Sequence, residues 1–292
     1  MLSKKNIVLI DSGIGGLTTL QFVARYFTNL NITYIADRFY YPYTDKAESD
    51  LKQRLLDLIT FVNRHFHPDL IIIACNTAAT LLLPELEYPY VASCNAVPII
   101  GVVPAIKQAA QRTQTKKIGL LATPATLVRT VTQQLIHKVQ TEQAVTIITS
   151  GSTDLIEIAE QKVTQAMAPD LHKVTHIIKP LLVQDIDIVV LACTHFPWLT
   201  DTFITIATQY QQHIEWLDSS QIVIQALQQH IPQHYQHHHM KQQHITYNSF
   251  LFTAGKQKTA QTSTQTDPFT PGQYLTDYLA HTGFKKWRTL YI

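Results

Sequence analysis

The chain has 292 residues, 46% hydrophobic and only 15% charged, with a formal net charge of +2. That length carries about two domains. The near-neutral charge gives no electrostatic reason to expect nucleic acid or a membrane as partner, and no apolar run approaches the roughly 18 residues that a bilayer span needs. Three cysteines (Cys75, Cys94 and Cys193) exclude a disulfide scaffold, and the apolar stretch near the N-terminus is too short for a secretion signal. A cytoplasmic location is therefore expected.

In chain order, Asn6-Ile7-Val8-Leu9-Ile10 reads as a strand ending at Asp11, followed by the turn Ser12-Gly13-Ile14-Gly15-Gly16 and a helix from about Leu17. Three of nine glycines in four positions imply a backbone requirement there. The turn looks like a dinucleotide fingerprint, but Thr18 stands at the third glycine position, which argues against a nicotinamide site. Strands are expected at 32–36, ending at Asp37, and at 70–74, ending at Cys75-Asn76-Thr77, with helices over 46–66 and from 78. Beyond residue 100 the pattern repeats. Strands at 117–122 and 145–149 come first, then a long amphipathic helix over 153–183, then a strand at 187–192 ending at Cys193-Thr194-His195. Cys94 lies beside an apolar strand and reads as structural. The Gln/His-rich stretch 228–244 reads as a solvated loop or loose helix. His237-His238-His239 within it lacks the spacing of a tetrahedral metal site. A late strand over 248–253 and a terminal helix over 271–284 complete the reading.

Uninterrupted apolar strands alternating with helices predict an α/β protein with mostly parallel sheets covered on both faces. Ile71-Ile72-Ile73-Ala74-Cys75-Asn76-Thr77 parallels Val189-Val190-Leu191-Ala192-Cys193-Thr194-His195. The chain thus reads as two pseudo-symmetric halves, each presenting a cysteine at the carboxyl end of a strand, where open α/β sheets bind ligands. Taken singly, such cysteines are more often packed structural residues; the parallel placement points to an active site in the cleft between the halves. A thiol at a helix N-terminus is expected to have a pKa lowered toward neutrality, which suits general acid/base work. Two thiols facing one carbon from opposite sides would invert it, with no metal or cofactor required for the proton transfers. Asp11 is placed to interact with Cys75, and His195 with Cys193.

These motifs resemble the glutamate racemases of the aspartate/glutamate racemase family. The matching stretches are Asp11 to Leu17, Pro42-Tyr43, Ala74 to Ala78, Gly101 to Lys107, Leu120 to Thr123 with Thr126, Gly151 to Glu157, Leu191 to Pro197, and Asp218-Ser219. The resemblance implies interconversion of L- and D-glutamate for peptidoglycan, with Cys75 the base in one direction and Cys193 in the other, assisted by Asp11 and His195. It implies substrate contacts at Asp11, Ser12, Pro42, Tyr43, Thr44, Asn76, Thr77, Thr123, Thr126, Thr194 and His195. Asp37 and Glu157 resemble positions near the cleft, where a site role and an ordinary surface carboxylate both stand open. It also implies a return of the chain to its first domain: 1–99 plus 213–292 form one, 100–212 the other. No cofactor is expected, and a monomer or homodimer is expected; activation by a peptidoglycan precursor is left open. Thr44 and Ala192 stand where the family pattern has glycine. A racemase for aspartate, or a binding protein without turnover, remain the competing readings.

Overall fold

The computed structural model describes residues 4–27, 29–82, 97–232, 246–254 and 287–291, with Thr276, Leu279 and Phe284. Cys94, most of the Gln/His-rich stretch and nearly all of the expected terminal helix lie outside the described residues. Among the described residues no helix is long and apolar enough to cross a membrane.

The first half runs β1 (Lys5–Asp11), α1 (Leu17–Tyr26), β2 (Leu30–Ala36), α2 (Glu48–Phe66), β3 (Leu70–Ile73), α3 (Asn76–Leu82) and β4 (Ile99–Gly101). Then α4 (Ile106–Arg112) leads into β5 (Lys117–Ala122), α5 (Pro124–Val128), α6 (Thr130–Gln143), β6 (Thr146–Gly151), α7 (Asp154–Gln165), α8 (Leu171–Leu182), β7 (Ile188–Ala192), α9 (Thr200–Gln209) and β8 (Glu215–Asp218). The chain ends with α10 (Gln221–His230), β9 (Thr246–Ala254) and β10 (Trp287–Tyr291). All pairings are parallel, in one sheet of order β10-β9-β2-β1-β3-β4 and another of order β6-β5-β7-β8. The molecule is thus two α/β domains with parallel sheets, as the alternating pattern predicts.

Burial explains why the central strands read as unbroken apolar runs. On one face of the first sheet Leu9, Ile32, Ile72 and Phe250 pack with Leu20 of α1 and Val223 and Leu227 of α10. On the other, Val8, Ile71 and Ile73 pack with Leu55 and Leu58 of α2 and Ala78 of α3. The second sheet is covered likewise, Leu121 and Val189 facing Leu155, Ile178 and Phe203, while Leu120 and Val190 face Ala109 and Val139. In each sheet the first strand (β1 or β5) lies between its successor and the cysteine strand (β3 or β7). The chain therefore reverses its winding between β1 and β3, and again between β5 and β7. Each reversal leaves a crevice at the carboxyl ends, and each crevice carries one cysteine.

Two departures from the sequence expectation lie in the second sheet and its helices. The helix expected over 153–183 is two helices. Ala166 takes a left-handed conformation that ends α7, and the Asp170 carboxylate caps α8 by accepting from the N–H groups of His172 and Lys173. The short strand β8, not distinguished in the sequence, pairs with β7 in the second sheet. Sheet membership therefore changes between Gly101 and Lys117 and again between Asp218 and Thr246.

Candidate active site

The two cysteines occupy equivalent environments. Cys75 follows β3 and precedes α3; its sulfur accepts from the backbone N–H groups of Thr77 and Ala78 and from the Ser12 hydroxyl. Cys193 follows β7, and the N–H groups of His195 and Phe196 face its sulfur, where the 3-10 turn Phe196–Leu199 begins; Phe196 N also donates to the Cys193 carbonyl oxygen at 3.1 Å. Each sulfur thus takes the N–H groups two and three residues ahead, a consequence of the same strand-to-helix corner in both halves. Both are 7% exposed. The expectation of lowered thiol pKa values is not met. Burial pushes Cys75 up to about 12, with the charge of Asp11 adding to it, and the N–H donors offset only part of this. Burial likewise pushes Cys193 well up, and the Cys75 and Asp11 charges add to it. The reach of the Cys75 charge to Cys193, and of the Asp11 charge to both, places the two sulfurs in one electrostatic environment although they belong to different domains.

The glycine-rich turn wraps a carboxylate whose charge reaches both sulfurs. Asp11 Oδ2 accepts from Gly16 N (2.9 Å) and Gly13 N (3.4 Å), and Oδ1 accepts from the Thr194 hydroxyl of the second domain (3.3 Å). Burial raises the Asp11 pKa above its usual value, and the glycine N–H groups and His195 oppose that rise. None of the three turn glycines has a positive φ; the requirement is space. A Cβ on Gly15 would lie 2.5 Å from His195 Nδ1 and from Thr194 Oγ1, and one on Gly16 would lie 2.9 Å from the Ala74 Cβ and the Tyr34 hydroxyl. The second domain docks onto bare backbone here. Gly15→Ala is therefore expected to hold the domains apart and lower turnover more than about tenfold through lost positioning. Its unfolding midpoint should stay close to that of the parent protein, because no domain core is touched; steady-state rates and a thermal melt check both halves of this expectation.

His195 is 2% exposed, and its Nε2 lies 3.0 Å from Glu160 Oε1. The same oxygen accepts from Ile14 N (3.2 Å) and Arg38 Nη1 (3.0 Å), both on the first domain. Burial alone would raise Glu160, but the His195 bond and the Arg38 charge outweigh it and hold the carboxyl below its usual range. Of the two readings left open for Glu157, the structure favours the ordinary surface carboxylate; the buried carboxylate on this helix is Glu160. Glu157 is exposed and, among the described residues, accepts from Gln161 one turn on. Glu160 sits four residues after Ile156 and three before Val163, on the buried face of α7. A charge on an apolar stripe was the signal available in the sequence.

Asp37 is fully buried, and it is a hub of contacts rather than a surface carboxylate. Arg54 grips both its oxygens (Nε 3.0 Å, Nη2 2.5 Å), the Tyr43 hydroxyl donates to it at 2.8 Å, and the Thr253 hydroxyl from β9 also donates. Tyr43 is held in this way, and Thr44 follows it, partly buried, in a 3-10 turn that packs on α5. Pro42 is partly buried beside them. A second bridge between the domains is made of hydroxyls alone. Thr77 Oγ1 lies 3.2 Å from both Thr123 Oγ1 and Thr126 Oγ1, which are themselves 2.9 Å apart, and all three are buried. Asn76 is 2% exposed and donates to Val102 O at 3.4 Å; Ser12 is 5% exposed.

The structure therefore brings Asp11, Ser12, Tyr43, Asn76, Thr77, Thr123, Thr126, Thr194 and His195 into the junction that holds both thiols. Among the described residues no group of three or more His, Cys, Asp or Glu side chains is arranged to hold a metal ion. A hollow of about 530 Å³ lined by Arg112, Asp187, His213 and Trp216 lies at the amino ends of β7 and β8, away from the chemistry.

A family model described as Asp/Glu/hydantoin racemase matches residues 23–227. The chain is similar to the glutamate racemase of Pasteurella multocida (strain Pm70), 40% identical over 196 residues, which are 67% of this chain and 70% of that one. It is similar to that of Shewanella sp. (strain MR-4) at 38% over 195 residues, 67% and 69% of the two chains. Among solved structures, Escherichia coli glutamate racemase in complex with L-glutamate and the activator UDP-MurNAc-Ala superposes with a TM-score of 0.75 at 26% identity, covering 99% of this chain and 98% of that one.

Proposed function

The chain belongs to the Asp/Glu/hydantoin racemase family, and on that premise we propose that it is a glutamate racemase interconverting L- and D-glutamate and supplying the D-enantiomer for peptidoglycan. The observation that carries the reading is the pair of equivalent strand-end thiols in one buried environment, one from each domain, with the charge of the Asp11 carboxylate reaching both.

In the proposed mechanism one cysteine acts as thiolate and the other as thiol. The thiolate sulfur forms a bond to the Cα proton as the C–H bond breaks. The opposite thiol releases its proton to the other face of the carbon, so the charge ends on the second sulfur and the stereocentre is inverted. Burial disfavours any thiolate in the empty site, so the positive ammonium of the incoming amino acid is the natural partner for it. Asp11, held by glycine N–H groups and Thr194, offers a negative partner for that ammonium. The Asn76 amide supplies a donor for the α-carboxylate, joined by Ser12 and Thr194 as their hydroxyls turn from Cys75 and Asp11 to the substrate, and the hydroxyls of Thr77, Thr123 and Thr126 converge as a cradle for the side-chain carboxylate, with Tyr43 and Thr44 beside it. Cys75 and Cys193 are thus assigned as the bases, with Asp11 and His195 as their assistants and no cofactor required. The proposed domain division keeps 1–99 with the C-terminal strands. Since β8 pairs in the second sheet, the return is placed after Asp218 rather than at 213. A cytoplasmic location, and a peptidoglycan-precursor activator such as the Escherichia coli enzyme binds, are extended to this chain as part of the same proposal.

Circular dichroism of either glutamate enantiomer with purified protein and no added cofactor tests the reading. Decay of the signal to zero from both sides is expected. Faster turnover of aspartate would reassign the substrate, and binding of glutamate without Cα exchange would make the chain a binding protein.

A further inference from the structure

We propose that Arg38 is a positioning residue for proton transfer at Cys193, acting through the Glu160 carboxylate on His195; this rests on the racemase reading. Arg38 begins the 3-10 turn after β2 on the first domain, whereas Glu160 and His195 belong to the second. Its Nη1 is one of three donors on a single Glu160 oxygen, beside Ile14 N and His195 Nε2. The His195 backbone N–H in turn donates to the Cys193 sulfur. Arg38 is only 16% exposed, and its guanidinium carbon sits 4.0 Å from the centroid of the Tyr41 ring. That ring packs against the second-domain core with its centroid 6.2 Å from the His195 ring, and its hydroxyl senses the charge of Cys193. Arg38 thereby fixes both walls of the imidazole, the carboxylate that anchors it and the tyrosine that flanks it.

The effect is one-sided. The Cys75 sulfur is served by Thr77, Ala78 and Ser12 and feels Asp11, none of which Arg38 holds. Removing Arg38 would leave Glu160 with two donors and an uncompensated charge beside Asp11, so the corner that presents Cys193 would lose its orientation while the corner at Cys75 stays intact.

The test uses Arg38→Met and Arg38→Lys in the full chain, with each glutamate enantiomer carrying hydrogen or deuterium at Cα. The equilibrium constant of a racemisation is one, so kcat/KM must fall equally in the two directions, and we expect about tenfold in Arg38→Met, part of what a positioned acid/base group contributes. The directional readout is the isotope effect. Transfer at Cys193 becomes more rate-limiting, so the effect grows for the enantiomer whose proton Cys193 removes and stays level or shrinks for the other. Arg38→Lys should recover part of the rate and restore the isotope pattern. Isotope effects that move together, or stay unchanged while KM rises, would overturn the proposal in favour of a purely structural tie between domains. A parent protein that leaves both enantiomers untouched would overturn the racemase reading and this proposal with it.

Discussion

Replacing either Cys75 or Cys193 by alanine is expected to lower racemisation by at least about 10³-fold, because each direction needs one sulfur to take a proton and the other to give one, and positioned acid/base groups contribute factors of roughly 10²–10⁴. The loss should be symmetric between the two variants. The equivalence of the two corners, each sulfur on the N–H groups two and three residues ahead, leaves no group poised to substitute for either. The residual chemistry should not be symmetric. With one thiol left, Cα exchange with solvent deuterium remains open only for the enantiomer whose proton faces it, and the two variants should exchange opposite enantiomers. Proton NMR of L- and D-glutamate in deuterium oxide separates these outcomes. Full-rate racemisation by either variant would sink the two-thiol mechanism. Folding should be little affected, because truncating a thiol in these sites removes one small buried atom rather than a core side chain.

The strands, their order along the chain and the two cysteine corners were legible because they rest on local rules. Ile7 to Ile10, Ile71 to Ile73 and Val189 to Leu191 are apolar on both faces, as central parallel strands must be. What escaped was set by contacts between the domains, which no local periodicity records. Glu160 was not singled out, although Glu157 three residues away was left open as a site carboxylate, because the docking of Ile14 and Arg38 against α7 completes the partners of a carboxylate there. The turn glycines were recognised, but for backbone freedom, whereas the structure uses them for the room that His195 and Thr194 occupy. The thiol pKa values were expected to fall because helix N-termini lower them, yet the same closure that unites the site buries both sulfurs and wins. Asp37 shows a related limit within one domain, set by contacts distant in sequence: a carboxylate at a strand end was visible, but the arginine seventeen residues later and the threonine on β9 that complete it were not.

Arg54→Met is expected to destabilise the protein by about 3–5 kcal/mol, the usual consequence of leaving one member of a buried ion pair behind, and so to lower the melting temperature by roughly 5–15 °C. Asp37 has no exposure to water, and the Arg54 side chain is only 10% exposed. Methionine supplies similar bulk and no donor, leaving the carboxylate, among the described residues, with the Tyr43 and Thr253 hydroxyls. The double variant Arg54→Met/Asp37→Asn should regain a large part of the loss, because a neutral amide does not demand the arginine; a double-mutant cycle of melts in denaturant measures the coupling. If the single and double variants were equally unstable, the arginine would matter as packing alone. Activity should separate from stability in the double variant. An amide at position 37 holds the Tyr43 hydroxyl less firmly than a carboxylate does, so the tyrosine and the adjoining Thr44 turn would be freed at the side of the threonine cradle while the fold recovers. A raised KM for glutamate with a nearly parental melting temperature is the result that would tie this network to the placement of the substrate.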